Sequence, residues 1–230
     1  MRNPIIVALD VSSAEEALGL ARDLSGAVGA FKIGKELFVS AGPDIVRAIR
    51  DEGGSVFLDL KFHDIPNTVA KAVAAAARLD VQMLTIHTSG GRDMMAAAEA
   101  AAQKAENTPL ILGVTVLTSM DDSNLAELGL PVDPAEQVER LAKLATDSGL
   151  RGLVCSPREI EMLRKVIPQE VQLVTPGIRP KGSDAGDQKR TLTPAKAIED
   201  GADWLVIGRP ITTAENPRQA AEEILESVSR

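Results

Sequence analysis

The chain has 230 residues, 44% of them hydrophobic but only 2% aromatic, and a formal net charge of −8. This is the composition of a soluble globular fold. It excludes a broad nucleic-acid footprint, which needs clustered basic charge and stacking aromatics. A single cysteine, Cys155, excludes an intramolecular disulfide framework and fits a reducing compartment. The opening "MRNPIIVALD" holds too short an apolar run for a secretory signal core. No stretch approaches transmembrane length, so the expectation is a cytoplasmic protein without a membrane or nucleic-acid partner.

Short β-rich runs alternate with helical runs along the whole chain. Strands are predicted at 5–10, 30–34, 55–60, 83–88, 110–116, 152–156, 172–178 and 204–209. Helices are predicted between them at 14–24, 44–52, 68–79, 93–105, 135–148, 158–166 and 194–200, with a last one at 217–227. Strict alternation implies parallel strands joined by helical crossovers. Eight such units in a chain of this length suit an α/β fold of the (β/α)8 TIM-barrel type, a single catalytic domain over 1–230. A doubly wound open sheet competes, but no Gly-x-Gly-x-x-Gly turn follows the first strand. The alanine-rich stretches at 72–77 and 94–102 are good helix formers that pack close to a sheet.

Side-chain alternation then sorts the strand residues. Strand one turns Ile5, Val7 and Leu9 outward and Ile6, Ala8 and Asp10 inward. Strand two turns Phe31 and Ile33 outward and Ala30, Lys32 and Gly34 inward. In strand three, Val56, Leu58, Leu60 and Phe62 form an apolar outer face, while Ser55, Phe57, Asp59 and Lys61 point into the barrel. A lone charge at a strand end is usually just solvated. Four charges of both signs on three neighbouring strands, all near the C-terminal ends where barrel active sites lie, point to a site instead. Strands seven and eight carry a second group. Arg179 precedes the loop "PKGSDAGDQKR", and strand eight ends in "IGRPI". Arg179, Gln188, Gly208 and Arg209 read as a phosphate grip, since barrels often bind phosphate there.

The strings "LDLKFHDIPNTV", "ALD", "FKIG", "LTSM", "TPGIRP", "GDQKR" and "IGRPI" together resemble the orotidine 5'-phosphate decarboxylase family, from Val7 to Ile211. The resemblance implies a barrel homodimer that converts orotidine 5'-phosphate to UMP and CO2 without a cofactor or metal, the last step of pyrimidine nucleotide synthesis. It assigns Lys61 as proton donor to C6 and Asp59 as the acid facing the substrate carboxylate. It has Asp64, Ile65 and Thr68 reaching the partner's site. It places Lys32 and Asp10 at the ribose, Thr118 near the pyrimidine, and Arg179, Gln188, Gly208 and Arg209 at the phosphate.

The chemistry asks for these residue types. Loss of CO2 from an orotate ring leaves an electron pair at C6 with no carbonyl to delocalise into. The site must stabilise it electrostatically and protonate it, and an ammonium does both. Asp59, and Asp64 if it lies close, would keep Lys61 charged against burial, which argues against a Schiff-base aldolase. His63 is expected to make a structural hydrogen bond, His87 to support the site from behind, and Cys155 and Ser156 to be core or strand-end residues. Two alternatives stay open. A magnesium-dependent sugar-phosphate decarboxylase or aldolase could use Asp10, Asp59 and Asp64 as oxygen ligands. A non-catalytic barrel could bind a phosphometabolite through the grip alone.

Overall fold

A computed structural model describes residues 3–130, 133–180 and 191–229. The eight strands are β1 (Ile5–Ala8), β2 (Ala30–Ile33), β3 (Val56–Phe62), β4 (Met83–His87), β5 (Leu110–Val114), β6 (Gly152–Val154), β7 (Gln172–Thr175) and β8 (Trp204–Ile207). All pair in parallel, in chain order, and β8 closes on β1. The barrel is therefore the fold, and the open doubly wound sheet is not.

The helices are α1 (Ala14–Asp23), α2 (Lys35–Ala41), α3 (Asp44–Asp51), α4 (Pro66–Ala77), α5 (Gly91–Ala102), α6 (Asp122–Glu127), α7 (Pro134–Asp147), α8 (Ile160–Val166), α9 (Pro194–Glu199), α10 (Arg209–Thr212) and α11 (Pro217–Val228). Every predicted helix is present, and α2, α6 and α10 are additional. They are short, so hydrophobic periodicity has little length in which to show. The starts are written locally. Ser13 Oγ accepts the Glu16 N–H at 3.2 Å, and Asp133 caps α7 ahead of Pro134. Seven of the predicted strands run past the observed ones at their C-terminal ends. There the chain turns away from the barrel to build loops, although residue types do not change. Asp10 consequently lies beyond β1 rather than within it.

Alternation separates two cores. Ile5, Val7, Leu9, Phe31, Ile33, Val56 and Leu58 pack outward against the helices. Ile6, Ala8, Ala30, Phe57, Met83 and Trp204 fill the barrel. Trp204 lies at the start of β8, where its indole N–H donates to Gln172 Oε1 at 2.8 Å. The interior is thus packed at the N-terminal end, and polar groups gather at the other.

At that N-terminal end Asp80 ties three segments together. It pairs with Arg50 of α3 and accepts from Asn107 Nδ2 at 2.9 Å, while Arg50 also donates to the Gly54 carbonyl at 2.9 Å. Asp80 itself holds a left-handed backbone, φ 57°, a conformation that asparagine and aspartate tolerate better than other side chains. Asp80→Ala removes these partners and keeps the unfavourable φ. It should destabilise the protein by about 2 kcal/mol, readable in urea denaturation, with the charge cluster at the opposite face undisturbed.

Beyond Leu58, β3 departs from a regular strand. Leu58 pairs with Leu84 and Phe62 with Ile86, so four steps on β3 match two on β4. Within this bulge Lys61 adopts φ 54°. Because the excess is an even number of residues, Leu60 and Phe62 still face the outer core.

Candidate active site

The bulge aims Asp59 and Lys61 at the mouth of the barrel. Lys61 Nζ donates to Asp59 Oδ1 at 2.7 Å and Oδ2 at 2.8 Å, and the Asp59 side chain is 15% exposed. On β2, the nearly buried Lys32 Nζ donates to Asp10 Oδ1 at 2.8 Å. Asp10 is open to solvent, its side chain 63% exposed. Burial pushes the Asp59 carboxyl upward. The Lys61 and Lys32 charges, with hydrogen bonds from Lys61 and Thr85, outweigh it and hold the group below its usual range. Asp59 is therefore an anion at neutral pH.

Lys32, Asp59 and Lys61 border a cavity whose other walls are Phe57, Val114, Val116, Leu117, Thr118, Val154, Cys155, Ser156, Val174, Pro176 and Val206. Its character is that of a ligand pocket: apolar walls with a few converging polar groups. A second hollow adjoins it, lined by Asp10, Arg179, Gly208, Arg209 and Thr212, and shares Lys32, Pro176 and Val206 with the first. A ligand can thus place a ring against Lys61 and an anionic end between the two arginines, with Lys32 and Asp10 at the join. Arg179 is held by its backbone, whose N–H donates to the Leu192 carbonyl at 2.9 Å. Gln188 lies outside the described residues.

The structure brings together Asp10, Lys32, Asp59, Lys61, Thr118, Arg179, Gly208 and Arg209. It does not bring Asp64 to Lys61 within the chain. The Asp64 carboxylate accepts its own neighbour's N–H, from Ile65, at 2.7 Å. Residues 63–68 are all exposed, Ile65 by 66%. Pro66 starts α4 there and turns the segment away from the strand. His63 and His87 depart from expectation too. Their rings lie 5.5 Å apart, and among the described residues neither makes a hydrogen bond. Burial, then the charges of His63, Lys61 and Lys35, pushes His87 downward.

Three features of the site lay outside the sequence reading. Ser156, placed there as a core or strand-end residue, lies on the cavity wall, 1% exposed. Thr85 contacts both Asp59 and Lys61. The valine wall comes from four different strands or their ends. Alternation could have flagged Ser156, because it shares parity with Val154. Cys155 behaves as expected of a core thiol. Burial raises it to about 12, only partly opposed by its contact with Thr175. It should resist alkylation at pH 8 in the folded protein and react fully after denaturation, as mass spectrometry would show.

Comparison with known proteins agrees with this geometry. Residues 3–224 match the Orotidine 5'-phosphate decarboxylase / HUMPS family. An orotidine 5'-phosphate decarboxylase of Opitutus terrae is 55% identical over 221 residues, 96% of each chain. The crystal structure of orotidine 5'-phosphate decarboxylase from Lactobacillus acidophilus superimposes with TM-score 0.89 at 38% identity, covering 99% of this chain and 100% of that one. That from Pyrococcus horikoshii gives 0.82 at 26% identity, covering 98% and 99%. With the same barrel, the charge array on its third strand and a match along nearly its whole length, the chain belongs to the orotidine 5'-phosphate decarboxylase / HUMPS family, on its decarboxylase side.

Proposed function

We propose that the chain converts orotidine 5'-phosphate to UMP and CO2, with Lys61 as the proton donor. The observation that carries this reading is the Lys61 ammonium at the head of an apolar cavity that opens into an arginine-lined hollow. The pyrimidine lies against Lys61, with Thr118 at its edge. The ribose meets Lys32 and Asp10, and the phosphate lies between Arg179 and Arg209 over the Gly208 backbone. Gln188 joins the phosphate contacts. As the C6–carboxylate bond breaks, its electron pair stays at C6 and CO2 departs. The ammonium stabilises that pair and then transfers a proton to it, forming the C6–H bond of UMP. Lys61 is left neutral and regains a proton from solvent.

The hydrogen bonds around Asp59 support a positioning role, since both its oxygens receive Lys61. The same contacts disfavour magnesium at Asp59 and Asp10, whose oxygens already serve two ammonium groups. Remote binding energy at the phosphate assists the chemical step at C6. The working unit is a homodimer of single-domain barrels, and Asp64, Ile65 and Thr68 complete the partner's site. Their exposure in the segment that directly follows β3 supports this. Among the described residues no helix is long and apolar enough to cross a membrane, consistent with a cytoplasmic enzyme.

The test follows the ultraviolet absorbance of orotidine 5'-phosphate with purified protein, with and without EDTA. Equal conversion to UMP in both supports the reading. A folded protein that does not convert the substrate overturns it, and conversion abolished by EDTA reinstates the magnesium alternative.

A further inference from the structure

The bulge in β3 creates a problem that one hydroxyl solves. Between Leu58 and Phe62 the register of β3 against β4 shifts, which takes the Lys61 N–H out of the regular ladder. It donates instead to Thr85 Oγ1, at 2.9 Å. Thr85 Oγ1 also lies 2.9 Å from Asp59 Oδ1. The proton directions follow. An ionised carboxylate only accepts, so the hydroxyl proton of Thr85 goes to Asp59, and its lone pair takes the Lys61 N–H. Thr85 is 0% exposed and lies on the inner side of β4, between the inward Met83 and His87. It does not line the cavity, so it acts behind the reacting groups.

We propose that Thr85 is a positioning residue for decarboxylation, one hydroxyl that fixes both the Lys61 backbone and the Asp59 carboxylate. Lys61 holds φ 54°, a conformation that is unfavourable for a side chain of this kind unless its surroundings impose it. The hydrogen bond from its N–H is such a constraint. The bond to Asp59 fixes the carboxylate that receives both Lys61 contacts, so the ammonium is located from two ends, backbone and tip. Catalysis depends on such placement, because small displacements of a proton donor are expensive in rate. A hydroxyl at this position also completes the polar accounting of the bulge, since a buried N–H is rarely left unpaired.

This inference rests on the decarboxylase reading above, and the wild-type assay separates the two. If wild-type protein fails to convert orotidine 5'-phosphate, that reading fails. If wild type converts it, the Thr85 variants decide the inference. Thr85→Val keeps the shape and removes the hydroxyl, while Thr85→Ser keeps the hydroxyl. In Thr85→Val, kcat should fall by about 10–100-fold, the loss of one to two hydrogen bonds to charged or strained groups. KM should change less than threefold, because the arginine hollow is untouched. Exchange of the C6 proton of UMP with D2O, followed by NMR, should fall in parallel. Thr85→Ser should restore kcat to within about fivefold of wild type. Thr85→Ala removes the hydroxyl without adding bulk and replaces the valine variant if that one does not fold. A hydroxyl-free variant that folds and keeps kcat within threefold of wild type overturns the proposal. So does a folded Thr85→Ser that is as slow as Thr85→Val, or a loss confined to KM.

Discussion

Lys61→Ala should reduce kcat by at least about 10⁴-fold, the combined loss of a general acid and of the charge that stabilises the C6 electron pair. The protein should remain folded, because Lys61 belongs to the site and not to either core. Lys61→Arg should be similarly slow despite retaining positive charge, since a guanidinium does not release its proton. Ligand binding adds a finer expectation. Without its hydrogen-bonded ammonium partner, the Asp59 anion keeps only the charge of Lys32 to offset it, and in the proposed binding mode it would repel the substrate carboxylate. Affinity for the carboxylate-bearing substrate should therefore fall more than affinity for UMP, measured by calorimetry. If Lys61→Ala retains a substantial fraction of kcat, another group protonates C6 and the mechanism above fails. If only UMP binding weakens, Lys61 supports the pocket and not the reaction.

Arg209→Ala should lower kcat/KM by about 10²–10³-fold, the effect of removing paired charge-assisted hydrogen bonds to a dianion. Arg209 lines the hollow with Arg179, across the shared Lys32 from the reacting end. The control is orotidine, which lacks the phosphate. Wild type and Arg209→Ala should process it equally slowly, because the missing interaction has nothing to act on. Equal losses on both substrates would show instead that Arg209 maintains the fold of the β8 end. Part of the loss with the full substrate should fall on kcat, since remote phosphate binding energy is used at the pyrimidine.

Much of the molecule follows from local sequence rules. The eight-fold alternation of strand and helix is written in hydrophobic runs and caps. The facing of Ile6, Ala8, Ala30, Lys32, Phe57, Asp59 and Lys61 follows from a period of two, which each strand carries by itself. Gly208 and the arginines beside it are legible because strand ends seven and eight bring them together in any barrel of this order. Three things depended on how segments meet. The excess of residues in β3 is a property of the β3–β4 pair, so no reading of 56–62 alone reveals the left-handed Lys61. Thr85 looks like an ordinary strand residue until that mismatch puts its hydroxyl between Lys61 and Asp59, 24 and 26 residues away in sequence. Asp64 lies close to Lys61 in the chain, yet the turn into α4 carries it outward, where it accepts the Ile65 N–H. Periodicity specifies which way a side chain faces along one strand. Which partner it meets is decided by register between strands, and that is set by packing of the whole barrel.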